Sequence, residues 1–257
     1  MKHGLLSVRL FIFMSSLLLP VTSVSGFAQE QQVAQSMESW GKMGGAGGFL
    51  PLWFRPSVKD VNSDLASFGM PDFGSRGIFL YGGGGYVYIN IIKNMRIGGM
   101  GAGGSLQMVS TANGVRREAM LSTGFGGATV EIAFPIQRKV DVALGVILGG
   151  GGLGLRLSRQ IDKTKDWTKA LSELRDGTSA DVVKEFNAGF FTLQPTAYVE
   201  IHLANWLGLR LGGGYNVSFM GSWSSNEFDA TGVPSSFKAT GLSLQGGLFV
   251  GSFFDNF

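Results

Sequence analysis

The chain has no cysteine, only two histidines and a charged fraction of 15%, and each shortage removes a class of function. Without cysteine there is no disulfide framework, no thiolate nucleophile or metal ligand, and no attachment point for a lipoprotein anchor. His202 is the one histidine beyond the N-terminal segment, and no carboxylates at ligand spacing join it, so neither a metal nor a cofactor is expected. The charged fraction lies well below the roughly 25% usual for soluble domains. A sequence pI of 9.2 invites a nucleic-acid reading. Setting aside residues 1–28, however, removes two of the 21 basic residues and none of the 18 acidic ones, leaving a formal +1. No dense Lys/Arg run remains, so nucleic acid is excluded as an expected partner. Also missing beyond the N-terminal segment is any apolar run long enough for a transmembrane helix.

At the start of the chain, Lys2 and Arg9 precede an apolar core at 10–19, followed by Pro20 and the small residues around Gly26-Phe27-Ala28. This order predicts a cleavable secretory signal at 1–28, because the core is too short for a spanning anchor. Residues 29–43 read as a polar leader and 44–257 as one β-domain with helical insertions near 57–69 and 163–187.

Alternation is what the chain has in abundance. In 190–203, Phe191, Leu193, Pro195, Ala197, Val199, Ile201 and Leu203 share one parity, against Thr192, Gln194, Thr196, Tyr198, Glu200 and His202 on the other. In 207–221, Leu207, Leu209, Leu211, Tyr215, Val217 and Phe219 oppose Arg210, Asn216 and Ser218. A period of two predicts strands, and runs beyond the roughly 9–11 residues of a tilted membrane strand point to a transmembrane hairpin turning at Ala204-Asn205. Similar runs lie at 77–90, 95–109, 117–134, 140–157 and 241–254, with a further first strand expected at 45–54. In 140–157 the apolar parity switches from Val140, Val142, Leu144, Val146 and Leu148 to Leu153, Leu155 and Leu157, which predicts a bulge across 149–152.

Two insertions carry helix signals. Ser57 and Asp60 open one with Val61, Leu65 and Phe68 on a face, ended by Gly69 and Pro71. Thr164 opens another with Trp167, Leu171 and Leu174, and Ser179 a third with Val182, Val183 and Phe186. Short turns at Lys93, Gln137 and Asn205 alternate with longer loops at Ser57, Asn113, Asp176 and Ser225. Such alternation and an even strand number belong to outer-membrane barrels. The expected fold is therefore all-β: a closed antiparallel up-and-down barrel of about eight strands with short helices in its external loops.

The C-terminal amphipathic strand closing on Phe257 resembles the assembly signal of small bacterial outer-membrane β-barrel proteins, although Phe257 is out of register with the parity ending at Phe254. The resemblance concerns architecture from about residue 45 onward and implies export to the outer membrane, with outer-membrane lipid as a partner. His202-Leu203-Ala204-Asn205 faintly resembles the His-x-Ser-Asn stretch of outer-membrane lipid A deacylases, but Ala204 stands where the nucleophilic serine would be. No catalytic residue is expected.

On the polar parity, Arg96, Gln107, Glu131, Gln194, Glu200, His202, Arg210 and Asn216 are expected inside the barrel, with Glu200 and Arg210 pairing across the hairpin. A structural ion network plugging the lumen is the favoured reading, since eight strands enclose little more than side chains. Glycines cluster near mid-strand, at 82–85, 98–104, 124–127, 149–152, 212–214 and 246–247. They serve barrel coiling, or face inward and leave a mid-height cavity. Phe134, Trp206 and Phe254 are placed in one aromatic girdle, and Trp53 and Trp223 in the other. The expected role is structural or surface-interacting through the external loops. The alternatives are a barrel carrying a small apolar or lipidic ligand, and a soluble periplasmic β-sandwich.

Overall fold

The computed structural model describes residues 44–89, 91–161, 167–176 and 181–253. The expected signal at 1–28 and leader at 29–43, the expected helix-opening residues Thr164 and Ser179, and Phe254 and Phe257 lie outside them.

The elements run β1 (Gly44–Phe49), β2 (Leu52–Ser57), α1 (Lys59–Ser67), β3 (Ile78–Ile89), β4 (Met95–Ala112), β5 (Val115–Gln137), β6 (Val140–Ile161), α2 (Trp167–Asp176), β7 (Val182–Ala204), β8 (Leu207–Ser225), β9 (Phe228–Asp229) and β10 (Lys238–Phe253). β1 and β2 are one stave, each pairing antiparallel with β10 on one side and β3 on the other. Pro51 interrupts it because proline has no N–H to give a ladder. Its carbonyl still accepts from Gly246 N at 3.2 Å, and Leu50 N donates to Gly82 O at 2.9 Å, so the wall stays closed. From β3 to β8 each strand pairs with the next, and β8 pairs with β10. The first stave plus seven strands complete an antiparallel up-and-down ring of eight, which excludes a two-sheet sandwich. β9 only folds back on the end of β8.

The parity is inverted relative to a protein built for water. On β7, Thr192, Gln194, Tyr198, Glu200 and His202 are buried inside, while Phe191, Leu193, Val199 and Leu203 are exposed outside. The same holds for β10, with Ser243, Gln245 and Phe249 inward and Leu242, Leu244, Leu248 and Val250 outward. A wall of exposed Leu, Val and Phe around the ring far exceeds the apolar patches that soluble monomers display.

The rim is uneven. β5 and β7 have 23 residues each, whereas β3 has 12. The tall wall arises because Asn113 (φ 52°) and Gly114 (φ 69°) turn β4 into β5 directly, with Ala112 opposite Val115. The polar loop expected there is a projecting hairpin, as Asn-Gly prescribes. α1 occupies the low side, with Val61 and Leu65 buried in the mouth.

Several local expectations change. The register of β6 with both neighbours is unbroken across 149–152, so there is no bulge. Leu153 and Leu155 are buried because the lumen itself turns apolar at that height. Val182, Val183 and Phe186 begin β7 instead of forming a helix, drawn into the ladder by β6. α1 starts at Lys59 after Val58, without a side-chain cap, since Ser57 still belongs to β2; Phe68 ends it and is 80% exposed. Trp223 lies opposite the inward-facing Ala188, across a register shift, and stacks on Phe237 at 4.8 Å in the mouth instead of joining a girdle. Phe134 and Trp206 are exposed near the short turns, as expected.

Candidate functional site

The inner ends of β3 to β8 bring a compact ionic layer together near the short turns. Arg96 is the largest fully buried side chain of the described residues. A charge inside a protein requires partners. Its guanidinium contacts Asp141 Oδ2 at 3.1 Å and Glu200 Oε2 at 3.0 Å, and donates to the Tyr88 hydroxyl. The ring of Tyr86 lies under it at 4.2 Å, and that hydroxyl donates to Glu200 Oε1. Arg210 meets Glu131 at 2.5 Å and Glu200 at 3.7 Å, with its guanidinium 3.8 Å from the Tyr198 ring centre. Glu200 and Arg210 are register partners across the β7–β8 hairpin. His202 Nε2 lies 3.3 Å from Glu200 and 3.6 Å from Asp141.

Of the residues expected inside the barrel, the fold brings Arg96, Glu131, Glu200, His202 and Arg210 into one layer. Gln107 does not join them. Eleven residues separate Gln107 from Arg96, and an unbulged strand puts odd separations on opposite faces, so Gln107 points outward and is exposed. Asp141 was not anticipated, although the outward apolar parity of 140–148 leaves it facing in. Nor were Tyr86 and Tyr88, whose rings flank the Arg96 guanidinium; Tyr198, on the polar parity, packs its ring against Arg210.

Carboxylate and imidazole donors do converge here after all: ligand atoms of Asp141, Glu200 and His202 lie within 4.8 Å of one another. Spacing along the chain could not reveal this, because β6 and β7 supply them by register. Arg96 already bridges both carboxylates, which makes the cluster an ion lock.

Above this layer, Thr192 bonds Asn216, Asn216 Nδ2 donates to Ala239 O at 2.5 Å, and Gln194 Nε2 donates to Ser243 Oγ at 2.7 Å, tying β7, β8 and β10 from within. Toward the long loops the lumen is filled by Leu52, Phe54, Leu80, Leu121, Phe125, Leu153 and neighbours, roofed by α1 and Phe73. Inward glycines admit these rings: a Cβ on Gly151 would lie 2.7 Å from both Phe125 and Phe190. Between the layers, a cavity of about 20 Å³ bordered by Glu131, Arg210 and Tyr198 has room for one water. It is too small to be the ligand cavity that inward glycines were expected to leave.

Outward glycines form a separate set, with Gly83 opposite Gly101, Gly101 opposite Gly126 and Gly126 opposite Gly150. The glycine belt therefore has two faces, one letting the lumen fill and one leaving the outer wall smooth.

Among solved structures the chain is similar to Ail, the attachment invasion locus protein of Yersinia pestis, solved with the heparin analogue sucrose octasulfate. Identity is 9%, with 83% of this chain and 99% of that one covered and a TM-score of 0.35. It is also similar to Neisserial surface protein A, at 14% identity, 82% and 97% coverage and a TM-score of 0.36. The likeness is one of fold. No family model matches the chain, and no curated protein matches it.

Proposed function

We propose that this protein is an outer-membrane β-barrel that anchors a surface for partner binding and neither conducts ions nor catalyses a reaction. The observation that carries this reading is the double inversion of the wall: Leu, Val and Phe outside, with a lumen filled by an ion lock below and an apolar plug above. An apolar exterior needs lipid as its solvent, and outer-membrane barrels put their long loops outside the cell. Export is supported by the signal-like order of residues at 1–28.

The non-catalytic reading is supported at His202, which is spent on Glu200 and Asp141 within the lock, two residues from Ala204 where a nucleophile would be needed. The surface role is supported by apolar side chains at the long-loop end: Trp167 and Leu171 on α2 are 77% and 48% exposed, and Phe228 is 78% exposed. Aromatic residues of this kind anchor interfaces. The test is binding of cells displaying the protein to host-cell or matrix preparations. Trp167→Ala with Leu171→Ala lowers it at unchanged surface level; binding that survives these changes and Phe228→Ala contradicts the surface role.

A second reading has its own observation. A pocket of about 280 Å³, bordered by Leu65, Met70, Leu155, Phe186, Val233 and Phe237, opens between α1 and the last loop. Its size and lining suit one small apolar ligand. Solvent extraction of purified protein recovers a stoichiometric lipid if it is occupied, and Leu155→Trp removes that lipid.

A further inference from the structure

The low side of the long-loop rim gathers a second site, which sequence spacing scatters over more than twenty positions. Arg55 on the outward parity of β2, Lys59 at the start of α1 and Arg76 just before β3 border one groove of about 550 Å³. Ser57, Ser63 and Ser75 add hydroxyls to its wall, and none of the lining residues is acidic. Among the described residues, neither Arg55 nor Lys59 has an ion-pair partner, and Arg76 donates to Met108 Sδ at 3.2 Å. Three like charges on one groove repel each other unless an anion answers them.

What lies directly below the groove indicates the source of that anion. Trp53, two residues from Arg55 on the same outward parity, is register partner to Phe79, which is 63% exposed; Tyr81, next on that face, is 65% exposed. Trp53 lies so close over Gly77 that a Cβ there would meet the indole at 2.3 Å. Aromatic side chains on the lipid face mark the level where acyl chains give way to headgroups. The groove therefore sits at headgroup height, with a ring-lined apolar wall beneath it.

We propose that this groove binds the phosphorylated headgroup of an outer-leaflet lipid, its phosphates held by Arg55, Lys59 and Arg76 and its acyl chains lying along Trp53, Phe79 and Tyr81. The proposal rests on the membrane-embedded reading above. Three exposed cations hold a small free anion only weakly, because water screens each contact. A ligand carrying several phosphates together with acyl chains adds the apolar wall to the charges. Arginine at two of the three positions suits phosphate, whose oxygens match its donor fork.

The experiment uses full-length mature protein in zwitterionic detergent micelles, titrated with a diphosphorylated, multiply acylated disaccharide lipid and followed by native mass spectrometry. The comparison ligands are the same lipid without phosphates and a soluble sulfated oligosaccharide. Arg55→Ala, Lys59→Ala and Arg76→Ala each weaken lipid binding about fivefold, and the triple variant about a hundredfold. Arg159→Ala, on the tall wall, changes nothing, and removing the phosphates abolishes binding. The proposal is overturned if the triple variant binds as wild type does, or if the dephosphorylated lipid binds equally well. It is overturned too if the soluble oligosaccharide binds as tightly with the same dependence on the three cations, which would make the groove a glycan site. Heat-modifiable gel mobility, recorded on every variant, reports separately whether the barrel itself is folded.

Discussion

Arg96 on β4 and Glu200 on β7 are 104 residues apart in sequence, and their side chains meet at 3.0 Å across the lumen. β5 and β6 lie between the two strands in the wall, so this pair braces the barrel through its interior rather than along a ladder. Removing one partner of such a buried pair strands the other charge, which costs about 3–5 kcal/mol. Glu200→Gln and Arg96→Met each lower stability by that order, read by urea titration in lipid vesicles. Because the two act as a unit, the double variant loses less than the sum of the singles. Additive losses would mean that the contact contributes nothing.

The two glycine faces respond differently to a side chain. At Gly151 a Cβ would come within 2.2 Å of Gly124 O and collide with Phe125 and Phe190, whereas at Gly101 nothing lies closer than 3.9 Å. Gly151→Leu therefore prevents folding, and Gly101→Leu folds at wild-type yield. The fraction of folded band on a semi-native gel distinguishes them, and equal yields would refute the assignment of faces.

Conduction tests whether the lumen is plugged by two layers. Phe54 is fully buried, with its ring 5.8 Å from that of Phe125. Phe54→Ala costs about 3–5 kcal/mol. It opens no current, because the ion lock still closes the short-turn end. Wild type is silent in planar bilayers, and steady single-channel steps from wild type would contradict the closed lumen.

Much of this fold was legible because the period-two signal is long. The hairpin from Phe191 to Val217 shows its inward and outward faces without any structure, and Glu200, His202 and Arg210 follow from it. Gln107 reads as inward from sequence because the glycines of β4 leave few apolar residues to anchor its parity, although it stands on the outward face. Asp141 is obscured for the opposite reason: its apolar neighbours Val140 and Val142 dominate the pattern, while Asp141 alone between them faces in. The supposed bulge at 149–152 assumed that apolar always means outward, whereas the upper lumen is itself apolar. The charged members of the ion lock could be read from parity, but its convergence on Asp141 and the basic groove could not, because register and loop closure assemble these from separate elements.

The central claim is that the wall faces lipid and closes around a filled lumen. The most direct measurement is membrane fractionation of cells expressing the full chain, with each fraction run on a gel before and after boiling. The account predicts a protein in the outer-membrane fraction, extracted by detergent but not by carbonate, whose folded band shifts on boiling. Release in soluble form by osmotic shock, without a boiling-dependent shift, would contradict it.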